Sequence, residues 1–340
     1  MKRIAFFVRH FTERGTENAI FNYAVYNETI LGNHSIIVCF KETTQQSLGW
    51  PATRISYPKF QHRFEIVEID AFDNMPEIID TYHLDFFYTL THGEYETLYR
   101  FECPEIWTGK TTGKRCKTIK HCVFNTNAKQ GDFYVSISHC LNVLYNTNVP
   151  VIPHIVAPDD GAQSLTLRSN LGIPEDAIVL GRHGGEETFD IPFVHRAIKN
   201  FLMDGPTNVY FLLMNTHVFV DHPRVLYLPP TTDSERKTMF IHSCDAMIHA
   251  RQQGETFGLA VAEFSIRNKP VLTYAGSRER EHLDILGERA ILYWDEADLT
   301  HILSNIHDLV RSRDRDWNAY QKFSPESVMM MFDSMIFSAT

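Results

Sequence analysis

Two glutamates raise the question of what this chain does. Glu255 and Glu263 stand eight positions apart in the run RQQGETFGLAVAEFS, which begins at Arg251. An ionised carboxylate only accepts hydrogen bonds, so each suits a pair of adjacent sugar hydroxyls. The residues between them are small, apolar and punctuated by glycine, and they read as a helix over 257–266. Such a helix leaves the amides of Thr256, Phe257, Gly258 and Leu259 without intrahelical partners and with positive partial charge. That is a ready place for a diphosphate. Two carboxylates flanking an anion site fit a molecule with a sugar at each end of a diphosphate, which describes a nucleotide sugar. The plainer alternative is one solvated loop glutamate and one solvated helix-face glutamate.

Other residues carry weaker signals. His92 in TLTHG and His121 in TIKHC each close an apolar run, where a general base or an acceptor-binding group can sit. With 17 histidines in the chain, either also reads as a satisfied structural histidine. The run KTTGKRCKTIK (110–120) holds five bases and no acid. It fails as a phosphate-binding P-loop, because Thr108 stands where the first glycine is needed and Arg115 where Ser or Thr is needed. It reads either as a solvated loop or as a patch for an anionic acceptor. The six cysteines show no C-x-x-C spacing and no second ligand pair near His121 and Cys122. They read as reduced thiols of a cytoplasmic protein, and no metal site is expected.

The bulk numbers narrow the class. The 340 residues suit two domains, and the longest apolar runs fall well short of the roughly 20 residues of a membrane span. The net charge is −10, with 15 bases against 16 acids in residues 1–150 and 17 against 26 in residues 151–340. An acidic second half argues against nucleic acid as a partner and offers no broad basic face to anionic lipid, though peripheral membrane contact stays open.

The elements that must hold these residues follow from periodicity. Apolar runs at 4–8, 35–40, 86–90, 133–138 and 149–152 predict strands, and residues 17–31 predict a helix stopped by Gly32. The segment HIVAPDDGAQS, beginning at His154, reads as a boundary. The alternation then restarts with strands at 178–180, 209–214, 225–228, 246–249 and 271–274. Helices are predicted at 193–202, 233–242, 257–266, 298–313 and 316–337, with Asp233 or Ser234 capping the second. Met329, Met330, Met331 and Met335 read as core packing of the closing helix. This alternation predicts an α/β protein of two doubly wound, Rossmann-like domains facing a central cleft. The expected division is 1–153, a linker over 154–176, a second domain over 177–318, and a closing helix over 319–340 that packs back on the first domain.

The run ETFGLAVAE resembles the E-x7-E motif of retaining glycosyltransferases of the GT-B fold, family-4 type. Further landmarks fall in order: RGTE (14–17) resembles the G-G-x-E loop, VIPHIV (151–156) the V-I-P-N-G-V linker, LGIP (171–174) with VLGR (179–182) the opening of the second domain, and PRVLYLP (223–229) the strand before the nucleobase loop. The resemblance implies a first domain on the acceptor side and a second holding the donor. It implies that Glu255 holds donor-sugar hydroxyls, Glu263 the ribose and Arg182 the diphosphate. Gly15 lets backbone approach the phosphate, and His121, ahead of His92, serves the acceptor or the departing group. Glu187 departs from the pattern, standing where the family has a lysine, and Arg251 is the substitute base.

The expected function is transfer of a hexosyl or pentosyl group from a nucleotide-diphosphate sugar to a hydroxyl of a glycan, lipid-linked or small-molecule acceptor. By resemblance it proceeds with retention, without metal and without any cofactor beyond the co-substrate. Alternatives are a nucleotide-sugar epimerase of the same fold and a non-catalytic nucleotide-sugar or glycan-binding protein. The absence of G-x-G-x-x-G after the first strand argues against a nicotinamide dehydrogenase.

Overall fold

The structure is a computed structural model and describes residues 1–338 apart from residues 13, 51–52, 158–164 and 312–314. The chain divides into two compact units, Met1–Ile155 with Pro325–Thr340, and Val156–Ser324. Part of the expected linker, residues 158–164, lies outside the described residues.

The first unit is built on β1 (Arg3–Phe7), β2 (His34–Phe40), β3 (Glu65–Ile69), β4 (Phe86–Thr91), β5 (Lys117–Cys122) and β6 (Phe133–Ser136). They pair in the order β3-β2-β1-β4-β5-β6, every pair parallel. A parallel sheet covered on both faces needs near-continuous apolar strands. The runs IAFF, SIIVCF and FFYTLT accordingly lie fully buried. Helix Gly15–Thr29 follows β1 and buries Ile20, Tyr23 and Ala24. The returning C-terminal segment completes this unit: the Phe332 ring lies 5.5 Å from Tyr23 and 5.9 Å from Tyr88, and Phe337 lies 4.9 Å from Phe86.

The second unit is built on β7 (Ile178–Arg182), β8 (Val209–Met214), β9 (Val225–Leu228), β10 (Ala246–His249), β12 (Val271–Tyr274) and β14 (Ala290–Tyr293), ordered β14-β12-β10-β7-β8-β9. A separate two-residue pairing joins β11 (Gly254–Glu255) to β13 (Glu279–Arg280). Strand order reverses between β1 and β4 in the first unit and between β7 and β10 in the second. Open sheets of this kind bind ligands beyond the carboxyl ends of the strands at the reversal.

Several expectations are corrected. Strands β3 and β14 were not predicted, and β5 was marked only by the run that His121 closes; it reads KTIKHC, a strand with five of six residues buried despite two lysines and a histidine. The run at 149–152 contributes only an isolated bridge, Val151 to Ser136. The helix expected over 257–266 is shorter, Leu259–Ser265, because Gly258 before it is left-handed (φ +85°). The closing helices are broken into Glu296–Ser304, Ile306–Arg311 and Pro325–Phe332. Of the four methionines only Met329 is core; Met330 is 68% exposed and Met331 and Met335 are also exposed, on the solvent side of that helix and of its continuation Asp333–Phe337. Asp233 does cap its helix, accepting from the amides of Glu235 and Arg236.

Candidate functional site

The two glutamates come together with their partners at the β7–β10 reversal. Glu255 lies in the loop after β10, between two glycines that hold left-handed backbone, Gly254 (φ +83°) and Gly258 (φ +85°). A side chain at Gly254 would place its Cβ 2.0 Å from the Glu279 carbonyl oxygen, so the β11–β13 pairing requires glycine there. Both Glu255 oxygens are engaged. Oε1 lies 3.2 Å from His249 Nε2, and Oε2 accepts from Arg251 Nη1 at 2.9 Å. The side chain keeps 21% exposure. Burial alone would raise this carboxyl, but the hydrogen bond from His249 and the charge of Arg251 outweigh it and hold the pKa at about 2.

Glu263 sits on the helix Leu259–Ser265. Lys237, from the neighbouring helix Ser234–Ser243, donates to its Oε1, and His183 Nε2, just beyond β7, stands 3.0 Å from Oε2. Burial again works to raise this carboxyl; the Lys237 charge and the His183 contact outweigh it and hold it well below the usual carboxylate range. Glu263 is 23% exposed. Two ionised carboxylates, each fastened by a cation and a histidine, therefore share one end of the sheet. Carboxylate oxygens have about two lone pairs each, so both groups keep acceptor capacity for hydroxyls.

The four residues between them differ in role. Thr256, Phe257 and Gly258 are buried, and Leu259 is partly exposed. The Phe257 ring packs on Tyr320 and Phe323, at 5.6 and 5.1 Å, and its carbonyl accepts from the Tyr320 hydroxyl. What this segment can offer a ligand is backbone.

Arg182 ends β7. It is 2% exposed and its guanidinium is turned inward. Nη1 donates to Asn215 O at 2.5 Å, Thr216 Oγ1 at 2.7 Å and Met214 O at 3.3 Å, while Nη2 donates to Gly185 O at 2.5 Å and Thr188 Oγ1 at 2.6 Å. It organises the loops after β7 and β8. Burial lowers its pKa to about 10, so it stays cationic at neutral pH. Glu187 stands exposed in the same turn.

In the first unit His121 lies within β5. It is fully buried in β5, with Nδ1 2.9 Å from the Tyr88 hydroxyl and Nε2 2.8 Å from Ile152 O. A carbonyl only accepts, so Nε2 carries the proton and Tyr88 donates to Nδ1. Burial lowers its pKa to about 4, so the imidazole is neutral, with both ring nitrogens bonded inside the unit. His92 is different: it follows β4 at the strand reversal and its side chain is 51% exposed, 3.7 Å from Glu94 and beside the Phe124 ring. Gly15 is exposed at the first position of the helix after β1, on the same reversal. The basic run is largely taken up within this unit. Lys110, Lys114 and Arg115 pair with Glu77, Asp85 and Asp132, and Lys120 is buried against carbonyl oxygens.

Sequence reasoning missed His183, Lys237, His249, Thr273 and His282. His249 lies six residues before Glu255, at the end of β10, and packing between strands and helices brings up the others; the one local signal among those was the basic residue three positions into a capped helix, Lys237. Among the described residues no three His, Cys, Asp or Glu side chains are grouped to hold a metal ion.

No known protein-family model matches the chain by sequence, and no well-characterised protein is similar enough in sequence to match it. Solved structures do match over nearly its whole length. The Anabaena protein HepE, crystallised with UDP and glucose, is 13% identical with a TM-score of 0.69, covering 99% of this chain and 100% of its own. A glycosyltransferase from Rickettsia africae is 14% identical with a TM-score of 0.68, covering 98% of each chain. A Listeria monocytogenes protein assigned as a UDP-N-acetylglucosamine 2-epimerase is 13% identical with a TM-score of 0.58, covering 98% of this chain and 96% of its own. At such identities the likeness is one of fold, and the fold is α/β, with two Rossmann-like sheets, of the GT-B class.

Proposed function

We propose that this protein is a glycosyltransferase that moves a sugar from a nucleotide-diphosphate sugar to a hydroxyl acceptor, with retention and without a metal ion. The observation that carries the reading is the pair Glu255 and Glu263, both held ionised at the β7–β10 reversal and both partly open. HepE, with the same fold, binds UDP-glucose, which supports the same ligand class here. Glu255 accepts from hydroxyls of the donor sugar and Glu263 from the ribose. In the reaction the bond from the anomeric carbon to the diphosphate oxygen breaks. A bond to the acceptor oxygen forms on the same face, and the acceptor proton passes to the departing diphosphate. Negative charge grows on that diphosphate, and Arg251, Lys237 and the amide of Leu259, where the helix starts, are the groups suited to meet it, with the main chain of Thr256, Phe257 and Gly258 leading up to it. Gly15 leaves room for backbone near the phosphate, and His92 serves the acceptor. The acceptor is a glycan, a lipid-linked molecule or a small molecule, the transferred group a hexose or pentose, and the setting cytoplasmic. No helix among the described residues is long and apolar enough to cross a membrane. The epimerase likeness favours one second reading, interconversion of the sugar with no acceptor present.

A thermal-shift panel of UDP-, GDP-, ADP-, TDP- and CMP-sugars tests this reading. A donor at 100 times its Kd adds about 2.7 kcal/mol and raises the melting temperature of a unit of this size by roughly 5–10 °C. The stabilising donor is then incubated with and without acceptors, with and without chelator. Proton NMR of the product anomeric centre reports retention. Wild-type turnover in Glu255→Ala would sink the assignment, and turnover without any acceptor would replace transfer by epimerisation.

A further inference from the structure

Behind Glu255 runs a line of buried polar side chains that the reaction above does not use. His249 ends β10, and the sheet register sets it directly opposite Thr273 of β12. His249 Nδ1 lies 2.9 Å from Thr273 Oγ1, which lies 3.2 Å from His282 Nε2, on the helix Glu281–Leu286. The two imidazoles stand 4.9 Å apart, and the Tyr293 hydroxyl fixes the His249 carbonyl at 2.7 Å. His249 is 5% exposed and Thr273 and His282 are fully buried. A buried core has no need of three polar groups in a row, since each costs free energy unless it is hydrogen-bonded.

We propose that His249, Thr273 and His282 are positioning residues that fix the rotamer of Glu255 for sugar transfer. This rests on the reading that Glu255 faces the donor sugar. The direction of the chain follows from the chemistry of its first member. An ionised Glu255 only accepts, so His249 Nε2 must donate. With that one proton on the ring, Nδ1 takes the Thr273 proton, and Thr273 Oγ1 takes the proton of His282 Nε2. Each of these donors has one acceptor, and the line ends at His282 on the helix Glu281–Leu286. Arg251 holds the other oxygen of Glu255, so the carboxylate is clamped from two sides and its open lone pairs point one way.

Two measurements on the full chain test this. In imidazole nitrogen-15 NMR at pH 7, Nε2 of His249 is expected to carry a proton in the wild type and to lose that preference in Glu255→Ala. A His249 with unprotonated Nε2 overturns the chain, and this result does not depend on turnover. In steady-state kinetics His249→Ala is expected to lose about 10–100-fold in kcat with donor KM moved less than about threefold, the signature of misplaced geometry. His249→Gln, whose amide reaches the Nε2 position, is expected to recover to within about fivefold of wild type. In a Glu255→Ala background the His249→Ala loss should disappear. Equal losses in His249→Ala and His249→Gln that follow the melting temperatures would make the chain mere packing and overturn the proposal. A wild type that neither binds nor turns over any nucleotide sugar would instead remove the transferase reading, with the NMR result still deciding the chain.

Discussion

Replacing Arg182 by alanine separates two roles that predict opposite outcomes. The guanidinium supplies three main-chain carbonyls and two hydroxyls across the loops at 184–188 and 214–216. Alanine leaves Met214 O, Asn215 O and Gly185 O without their charged donor. A buried acceptor left unpaired costs about 1–3 kcal/mol, and water entering the space recovers part of it, so the net loss is about 3–5 kcal/mol. For a unit of this size each kcal/mol moves the melting temperature by roughly 2–4 °C, which gives a fall of roughly 6–20 °C. Lysine presents its donors from one point and cannot serve both loops, so Arg182→Lys should fall between. Differential scanning calorimetry measures the melt, and isothermal titration with the donor, at a temperature where the variant is folded, measures the site. A residue that touches the diphosphate gives the reverse pattern. The melt is unchanged, and Kd rises about 10–100-fold, since a charged hydrogen bond is worth about 1.5–3 kcal/mol. That pattern would refute the structural role argued from the buried guanidinium.

Three further outcomes follow from the same geometry. Lys237→Ala removes the cation on Glu263 and should cost about 1.5–3 kcal/mol at pH 7. Because Glu263 has a depressed folded pKa, its stabilisation is present above the unfolded carboxylate value and lost as pH falls. The gap between variant and wild type should therefore be full at pH 7 and close below the ordinary carboxylate range in melts taken from pH 7 to 2, and a gap independent of pH would contradict the pairing. His121→Leu leaves the Tyr88 hydroxyl and Ile152 O unpaired, so melting should fall by an amount equivalent to about 2–4 kcal/mol while kcat at 20 °C is kept. A collapse of kcat with an unchanged melt would return His121 to the chemistry. His92→Ala should leave the melt within about 1 °C and lower kcat/KM for the acceptor about tenfold, and unchanged acceptor kinetics would remove His92 from the acceptor side.

Strands buried on both faces announce themselves, which is why β1, β2, β4, β8 and β10 are legible as apolar runs. Strand β5 is as deeply buried but its sequence hides it. Lys120 lies inside because its ammonium meets Glu94 O, Ala128 O and Gln130 Oε1, and His121 because both ring nitrogens are bonded. A polar residue satisfied by distant carbonyls has no signature in hydropathy, since its partners come from other strands and loops. The glutamate spacing was legible for a related reason: it is local, set within one loop and one helix. Arg251, four positions from Glu255, was legible for the same reason, but the more distant partners were not. Lys237 is 26 positions from Glu263, and Thr273 is 24 positions from His249. They meet because β10 lies beside β12, and because the helix after β9 lies beside the one after β10.

Arg182 and Glu187 show what a matched position leaves undetermined. The strand that ends in Arg182 is where the resemblance places it, yet the side chain turns in and is consumed by the loops on either side of it. Glu187, five residues on, stands exposed in the same turn, where the resemblance calls for a lysine. Read together, the two departures are consistent with each other. A turn that has given its arginine to its own carbonyls brings no outward cation from that position, and a glutamate there adds charge of the wrong sign for a diphosphate. The positive charge beside Glu255 and Glu263 comes instead from Arg251 and Lys237, on the loop after β10 and the helix after β9. Each is held by the carboxylate it neutralises, so a diphosphate arriving at this site competes with Glu255 for Arg251 and with Glu263 for Lys237. On the proposed reading, hydroxyls of the sugar and ribose are what the glutamates receive in exchange. In this arrangement the affinity for a complete nucleotide sugar should exceed that for the free nucleoside diphosphate, which draws off the cations without offering Glu255 any hydroxyl in return.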